Sequence, residues 1–232
     1  MLKFLEQVRQ LESQVGALQR SEATGVAYHF APRMPFAPME AEKVLSHLER
    51  FITKYPFFGI QSAKEELQLV KKAADVHFPM RKTLNFQQHI KGIHVFGAVL
   101  KVHFDELNRI MAVDGQYVPN LHKTLDLEVH VNEERAVQIA IDHVKNLAES
   151  YQSVSWKVNS CRPLVYREGI FNNQPGPNHL TMMCIISSDD RADVKEQVFV
   201  NAKTGRVLVS IPLVFNAIRR EVNQKPLLIW AA

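Results

Sequence analysis

The sequence predicts an α+β protein: two consecutive helix-plus-antiparallel-sheet domains, preceded by an N-terminal amphipathic helix. Three observations carry this reading. A clean period-two alternation runs from Leu84 to Val113. The order helix-then-strands occurs twice along the chain. The 232 residues are 46% apolar and 22% charged, enough to build ordinary globular cores without staples.

Met1, Phe4, Val8, Leu11, Val15 and Leu18 repeat at spacings of three and four, a short heptad pattern. It admits a weak coiled-coil dimer, an amphipathic helix packed on its own domain, or a frayed extension. Thr24–Met39 is dense in prolines, glycine and aromatics and reads as an extended linker. Val44, Leu45, Leu48, Phe51 and Ile52 mark the buried face of a second helix that Pro56 stops, with Gly59 just beyond. Leu67, Leu69 and Lys71 suggest a short strand.

Leu84, Phe86 and Gln88 then alternate with Asn85, Gln87 and His89. Lys91-Gly92 is a turn, and Ala98, Leu100, Val102 and Phe104 resume one face with Lys101 and His103 on the other. Asp105–Asn108 turns into the strand Arg109–Val113, and Asp114-Gly115 reads as the next turn. This is a meander with one wet face.

Pro119–His130 has no period and reads as a linker. Asn132 is placed to cap a helix with Glu133 and Glu134 in its first turn, where the helix dipole favours acids. Ala136, Val137, Ala140, Ile141, Val144 and Leu147 supply its apolar face. Three strands follow, near Val154–Val158, Cys161–Tyr166 and Leu180–Ile186. A last hairpin joins Gln197–Val200 to Arg206–Ile211.

A net charge of +4, spread thinly, gives no basic stripe with interleaved aromatics, so no nucleic-acid partner is implied. No stretch reaches the roughly 18 apolar residues of a membrane span. Glu6, Arg9, Glu12 and Arg20 interrupt any signal-peptide apolar core.

Chemistry-bearing patterns are missing as well. No H-E-x-x-H, G-x-S-x-G or phosphate-cradling glycine run occurs, so no catalytic, metal or cofactor residue is assigned and no cofactor is expected. His89 and His94 lie five apart across a glycine turn and are expected to face opposite ways. Cys161 and Cys184 fit neither a disulfide framework nor a four-ligand zinc site, and inert thiols in strands are expected. If Tyr166 pairs with His179, the same antiparallel register sets Cys161 opposite Cys184. The usual spacing of opposed Cβ atoms, about 4.5–5.5 Å, leaves a bond between them open.

Phe86–Asp105 closely resembles the core hairpin of the fungalysin/thermolysin propeptide domain, a run of the form F-Q-Q-x-x-K-G-x-x-V-F-G followed by alternating strand residues and an acid. Here that run places Phe86, Gln87, Gln88, Lys91, Gly92, Val95, Phe96, Gly97 and Asp105. Val113-Asp114-Gly115 resembles the family's next turn, through Gly115, and Phe58-Gly59-Ile60 with Glu65-Glu66-Leu67 resembles its lead-in. The second half is similar to a PepSY domain. Val131–Ala136 resembles its helix start, and Pro163–Tyr166, His179-Leu180 and Phe199–Leu208, with Lys203, Thr204 and Gly205, resemble its strands and last hairpin. Asn201 stands where an Asp is usual.

The resemblance implies a division into 1–38 (helix and linker), 39–121 (propeptide-like), 131–211 (PepSY-like) and 212–232 (connector). Gly92 and Gly205 are expected at turns needing φ > 0, and Gly97 at a bulge. These are fold-making roles.

In function, the resemblance implies the pro-region of a secreted zinc metallopeptidase, acting as intramolecular chaperone and inhibitor. The expected partner is the catalytic domain, in cis or in trans. The chain shows no signal peptide and ends at Ala232 without a protease domain. It is therefore expected to be a fragment, an incomplete reading of its gene, or a stand-alone module acting in trans. The location implied is extracellular or secretory.

Overall fold

The computed structural model describes residues 13–38, 44–148 and 151–214. The protein is mixed α and β, rich in antiparallel sheet and poor in helix. It divides into two compact units: residues up to Lys123 with Asn173–Pro175, and Thr124–Asn172 with the chain from Gly176 onward.

The first unit contains β1 (Val15–Arg20), β2 (Ala27–Pro32), β3 (Phe36–Pro38), α1 (Val44–Lys54), β4 (Leu67–Ala74), β5 (Lys82–Ile90), β6 (Ile93–Phe104) and β7 (Arg109–Gly115). Its sheet runs β1-β2-β7-β6-β5-β4, with β3 also paired to β7. The alternation places Leu84 and Phe86 of β5, and Leu100, Val102 and Phe104 of β6, on the inner face. Leu48 and Phe51 of α1 and Phe30 of β2 join them in one buried cluster. Each fully buried Phe there stabilises by about 1.5–3 kcal/mol.

The second unit contains α2 (Glu133–Lys145), β8 (Trp156–Arg167), β9 (Asn178–Ser188), β10 (Lys195–Asn201) and β11 (Val207–Pro212), with strand order β8-β9-β10-β11. Asn132 caps α2, its side-chain oxygen accepting from the Arg135 N–H at 2.9 Å. Ala136, Ala140 and Val144 form the buried stripe of α2, which packs on β8, β9 and β10. Small residues at two of these three positions let helix and sheet approach closely.

Several expectations are corrected. Val15 and Leu18 lie on strand β1, not on a helix; the earlier part of the expected heptad, Met1, Phe4, Val8 and Leu11, falls outside the described residues. A register shift at Gly16, between the pairs Val15↔Pro32 and Ala17↔Ala31, gives a strand a helix-like spacing of three. The expected linker Thr24–Met39 instead holds two paired strands, β2 and β3. Its prolines tolerate extended backbone, and Ala27, Phe30 and Pro32 are the buried positions of β2. Asp114-Gly115 is not a turn: β7 continues through it, with Asp114 opposite Lys101 and Gly115 opposite Leu100.

The two strands expected around Val154–Val158 and Cys161–Tyr166 are one, β8, with a register shift between Val158 and Ser160 that interrupts the alternation. His89 and His94 are direct partners across β5 and β6, and so share a face rather than facing opposite ways. Of the expected connector, Pro212 closes β11, and residues beyond Val214 fall outside the description.

Candidate functional site

The β5–β6 hairpin carries most of the singled-out residues, and each does structural work there. Lys91 and Gly92 have φ of 49° and 81° between the paired residues Ile90 and Ile93. Two positive φ values in a two-residue loop make a type I′ turn, whose twist matches the strands it joins. Further along, the pairing passes from His89↔His94 directly to Gln87↔Val99, so β6 bulges with Gly97 at φ 71°. The Gln87 amide fills that gap: its Nε2 lies 2.7 Å from the Val95 carbonyl and 3.0 Å from that of Ala98. Carbonyls left without a strand partner are satisfied in this way.

Phe86 and Val95 are fully buried. Gln88 is buried too, and its amide pairs with the backbone of Val118 in both directions. Gly115, at φ 120°, is fixed by close approach, because a Cβ there would lie 1.9 Å from the Val99 carbonyl oxygen. Asp105 ties the β6–β7 turn. Its carboxylate accepts from the N–H groups of Leu107 and Arg109 at 2.9 and 2.8 Å, and from Arg109 Nε at 2.7 Å. Burial pushes the Asp105 carboxyl up, but these donors outweigh it and hold it below the usual range. Phe96 is the remaining residue of the run and is half-buried on β6.

The loop leading into β4 is tied to the same region. Ser62 caps the helical turn Ala63–Glu66 by accepting from the Glu65 N–H. The Glu66 carboxylate accepts from Gln61 N, Ser62 N and the Tyr117 hydroxyl.

The sequence did not reveal a row of polar side chains across the outer face of this sheet. Asp114 on β7 is bonded through one oxygen to His29 Nδ1 on β2 and through the other, at 2.7 Å, to His103 Nε2 on β6. His103 Nδ1 in turn meets Thr83 Oγ1 on β5 at 3.0 Å. Burial raises the Asp114 carboxyl, while the two imidazoles lower it and prevail. Hydroxyl, imidazole and carboxylate thus stand in line, but backbone N–H groups in a sheet point along its plane into the ladder. None is aimed at a developing oxyanion above the face, so the row is read as cross-strand stabilisation.

In the second unit, Lys203, Thr204 and Gly205 shape the β10–β11 turn. Asn201 Oδ1 accepts from the N–H groups of Lys203 and Thr204, both at 2.9 Å, and Gly205 has φ 74°. Asn201 thus performs the acceptor role an Asp would, without the charge. A groove of about 240 Å³ lies beside this turn, lined by Asp126, Glu128, Asn178, His179 and Lys203 among others. Lys203 Nζ spans it, 2.7 Å from Asp126 and 2.8 Å from Glu128, and these carboxylates raise its pKa. The groove's charges are therefore spent on one another.

Cys161 and Cys184 are opposite residues on β8 and β9 and are joined by a disulfide, with Tyr166 opposite His179 in the same register. Among the described residues, no group of three or more His, Cys, Asp or Glu is placed to hold a metal ion. No helix among them is long and apolar enough to cross a membrane.

Comparison with known proteins bears on the hairpin. Residues 82–117 match the Fungalysin/Thermolysin Propeptide Motif. The chain is similar to thermolysins from Bacillus caldolyticus and from Alicyclobacillus acidocaldarius, 31% identical over 110 residues in each case. That stretch is 46% of this chain and 19% of each thermolysin, so the match covers about a fifth of their length. Among solved structures, the Bacillus megaterium YpeB C-terminal domain aligns with a TM-score of 0.36 at 14% identity, over 83% of this chain and 74% of that one.

Proposed function

We propose that this chain is the pro-region of a thermolysin-like, secreted zinc metallopeptidase. In this reading residues 39–121 form a propeptide-type domain and residues 131–211 a PepSY-type domain. Together they assist folding of the catalytic domain and inhibit it until cleavage. The chain itself does no chemistry; its role is contact.

The observation that carries the reading is the motif at 82–117 and what its residues do. Gln87, Gln88, Gly97 and Gly115 each satisfy a local constraint that other residues would not, a bulge, a buried backbone pair or a close approach. The resemblance is therefore to a fold-specifying core and not to an exposed string. The second unit supports it with a helix capped at Asn132, packed on a four-stranded antiparallel sheet whose last hairpin turns at Lys203–Gly205.

The experiment is to titrate the purified chain against mature Bacillus caldolyticus thermolysin and follow peptide cleavage. Slowed cleavage at micromolar chain, about −8 kcal/mol of net binding, is the expected result. An unchanged rate at that concentration contradicts the inhibitory part of the proposal.

A further inference from the structure

We infer that one end of the first unit's sheet, formed by the β4–β5 loop and the β6–β7 turn, is the surface that seats on the metallopeptidase domain; this rests on the pro-region reading above. Four large apolar side chains are exposed there: Val76 at 89%, Met80 at 71%, Leu107 at 61% and Phe78 at 49%. Singly exposed apolar residues are ordinary, but four on two turns at one end of a sheet mark a contact surface. The two turns share that end because Lys82, which opens β5, pairs with Phe104, which closes β6.

The surface is built in advance. Asp75 Oδ1 accepts from the N–H groups of His77 and Phe78 at 2.8 and 3.0 Å, and the Asp75 and Arg81 backbones close the loop. The Arg81 guanidinium lies over the Phe78 ring, 4.3 Å from its centroid. Asp105 holds Leu107 in place through the next turn. Arg81 and Glu106, 3.7 Å apart, join the two turns. Side chains fixed before binding lose less freedom on binding, which favours a shaped protein recess.

Charge narrows the partner further. Lys71 and Lys72, late in β4, and Arg81 and Lys82, where the loop enters β5, outnumber Asp75 and Glu106 at this end of the sheet. The complementary surface is an apolar recess rimmed by carboxylates. A lipid surface suits less well, because Glu106 places a carboxylate beside Leu107, at the depth where a bilayer would be entered.

The test uses the full chain and mature Bacillus caldolyticus thermolysin as probe. The double variant Val76→Ser/Met80→Ser changes two exposed side chains and is checked by its melting midpoint. Its half-inhibitory concentration is expected to rise about tenfold or more, as for loss of an interface anchor. Lys71→Glu/Lys72→Glu, on an exposed edge strand, is expected to weaken inhibition as well and to flatten its salt dependence. This charge-reversed variant decides the matter if the first melts early. Inhibition by the wild-type chain with no change in the folded variants overturns the inference and leaves the pro-region reading standing. No inhibition by the wild-type chain overturns this inference together with the inhibitory part of the pro-region reading. Sedimentation with phosphatidylglycerol vesicles that both variants lose, with inhibition unchanged, assigns the surface to lipid and also overturns it.

Discussion

The side chain of Gln88 stands in for a neighbouring strand to Val118: its Nε2 donates to the Val118 carbonyl at 2.7 Å, and its Oε1 accepts from the Val118 N–H at 2.9 Å. Both residues are buried, at 1% and 0% exposure. Gln88→Ala therefore strands two buried backbone groups. At about 1–3 kcal/mol each, it is expected to lower stability by about 2–6 kcal/mol, read from the shift in denaturation midpoint. A change below about 0.5 kcal/mol, the level of an ordinary surface substitution, would show that water replaces the amide freely.

Gly115 and Gly92 both have positive φ, but their surroundings differ. A Cβ at Gly92 meets nothing within 4 Å, so Gly92→Ala is expected to cost only backbone strain, about 1 kcal/mol. A Cβ at Gly115 would sit 1.9 Å from the Val99 carbonyl oxygen. Gly115→Ala must part β6 from β7, and is expected to lower the melting midpoint several times further. Equal midpoints for the two variants would contradict the close approach.

The hairpin was legible in sequence because its period is unbroken on either side of the Gly97 bulge: Leu84 and Phe86 on β5, and Ala98, Leu100, Val102 and Phe104 on β6, fall inward in turn. The two long helical faces were legible at a spacing of three and four, except that Leu147, expected on the face of α2, lies past its end at Lys145 and is exposed. Irregularities hid the rest. The shift at Gly16 gave β1 a helical spacing, and the shift before Ser160 divided β8 in two. The His29–Asp114–His103 row depends on β2 pairing with β7 across 85 residues, and no local pattern reports such a pairing. The groove beside Lys203 is of the same kind, since Asp126 lies 77 residues away in the chain.

The Cys161–Cys184 disulfide closes a span of 23 residues between adjacent strands. Loop-closure entropy for a span of this size corresponds to about 3 kcal/mol. Reduction, or Cys161→Ser/Cys184→Ser, is expected to lower the stability of the second unit by about that amount. Thiol titration of the native protein under denaturing conditions, without reductant, is expected to find no free thiol. Two free thiols would contradict the bond.

His47 sits on the buried face of α1, with its ring 5.3 Å from that of Phe36 and its Nε2 without a partner. Burial, and then the charge of Arg50, hold its pKa below 6.5. His143 on α2 is lowered by burial as well, against a raising influence from Glu196. The folded state therefore binds these protons less readily than the unfolded chain. Their contribution is fully present above 6.5 and is lost as pH falls below it. The melting midpoint is expected to fall between pH 7 and about 5, ahead of carboxylate protonation, and His47→Leu is expected to shallow that slope. A midpoint that is flat or rises over this range contradicts the buried, neutral assignment.

Assistance to a catalytic domain is read out by refolding. Mature Bacillus caldolyticus thermolysin, unfolded in guanidinium and diluted with or without this chain, is followed by recovered peptidase activity after the chain is removed. A higher yield and a faster approach to it are expected with the chain present, each tenfold in rate reflecting about 1.4 kcal/mol off the barrier. The gain should disappear in Gln88→Ala under conditions where that variant is unfolded. Equal recovery with and without the intact, folded chain at micromolar concentration would show that the chain does not assist folding.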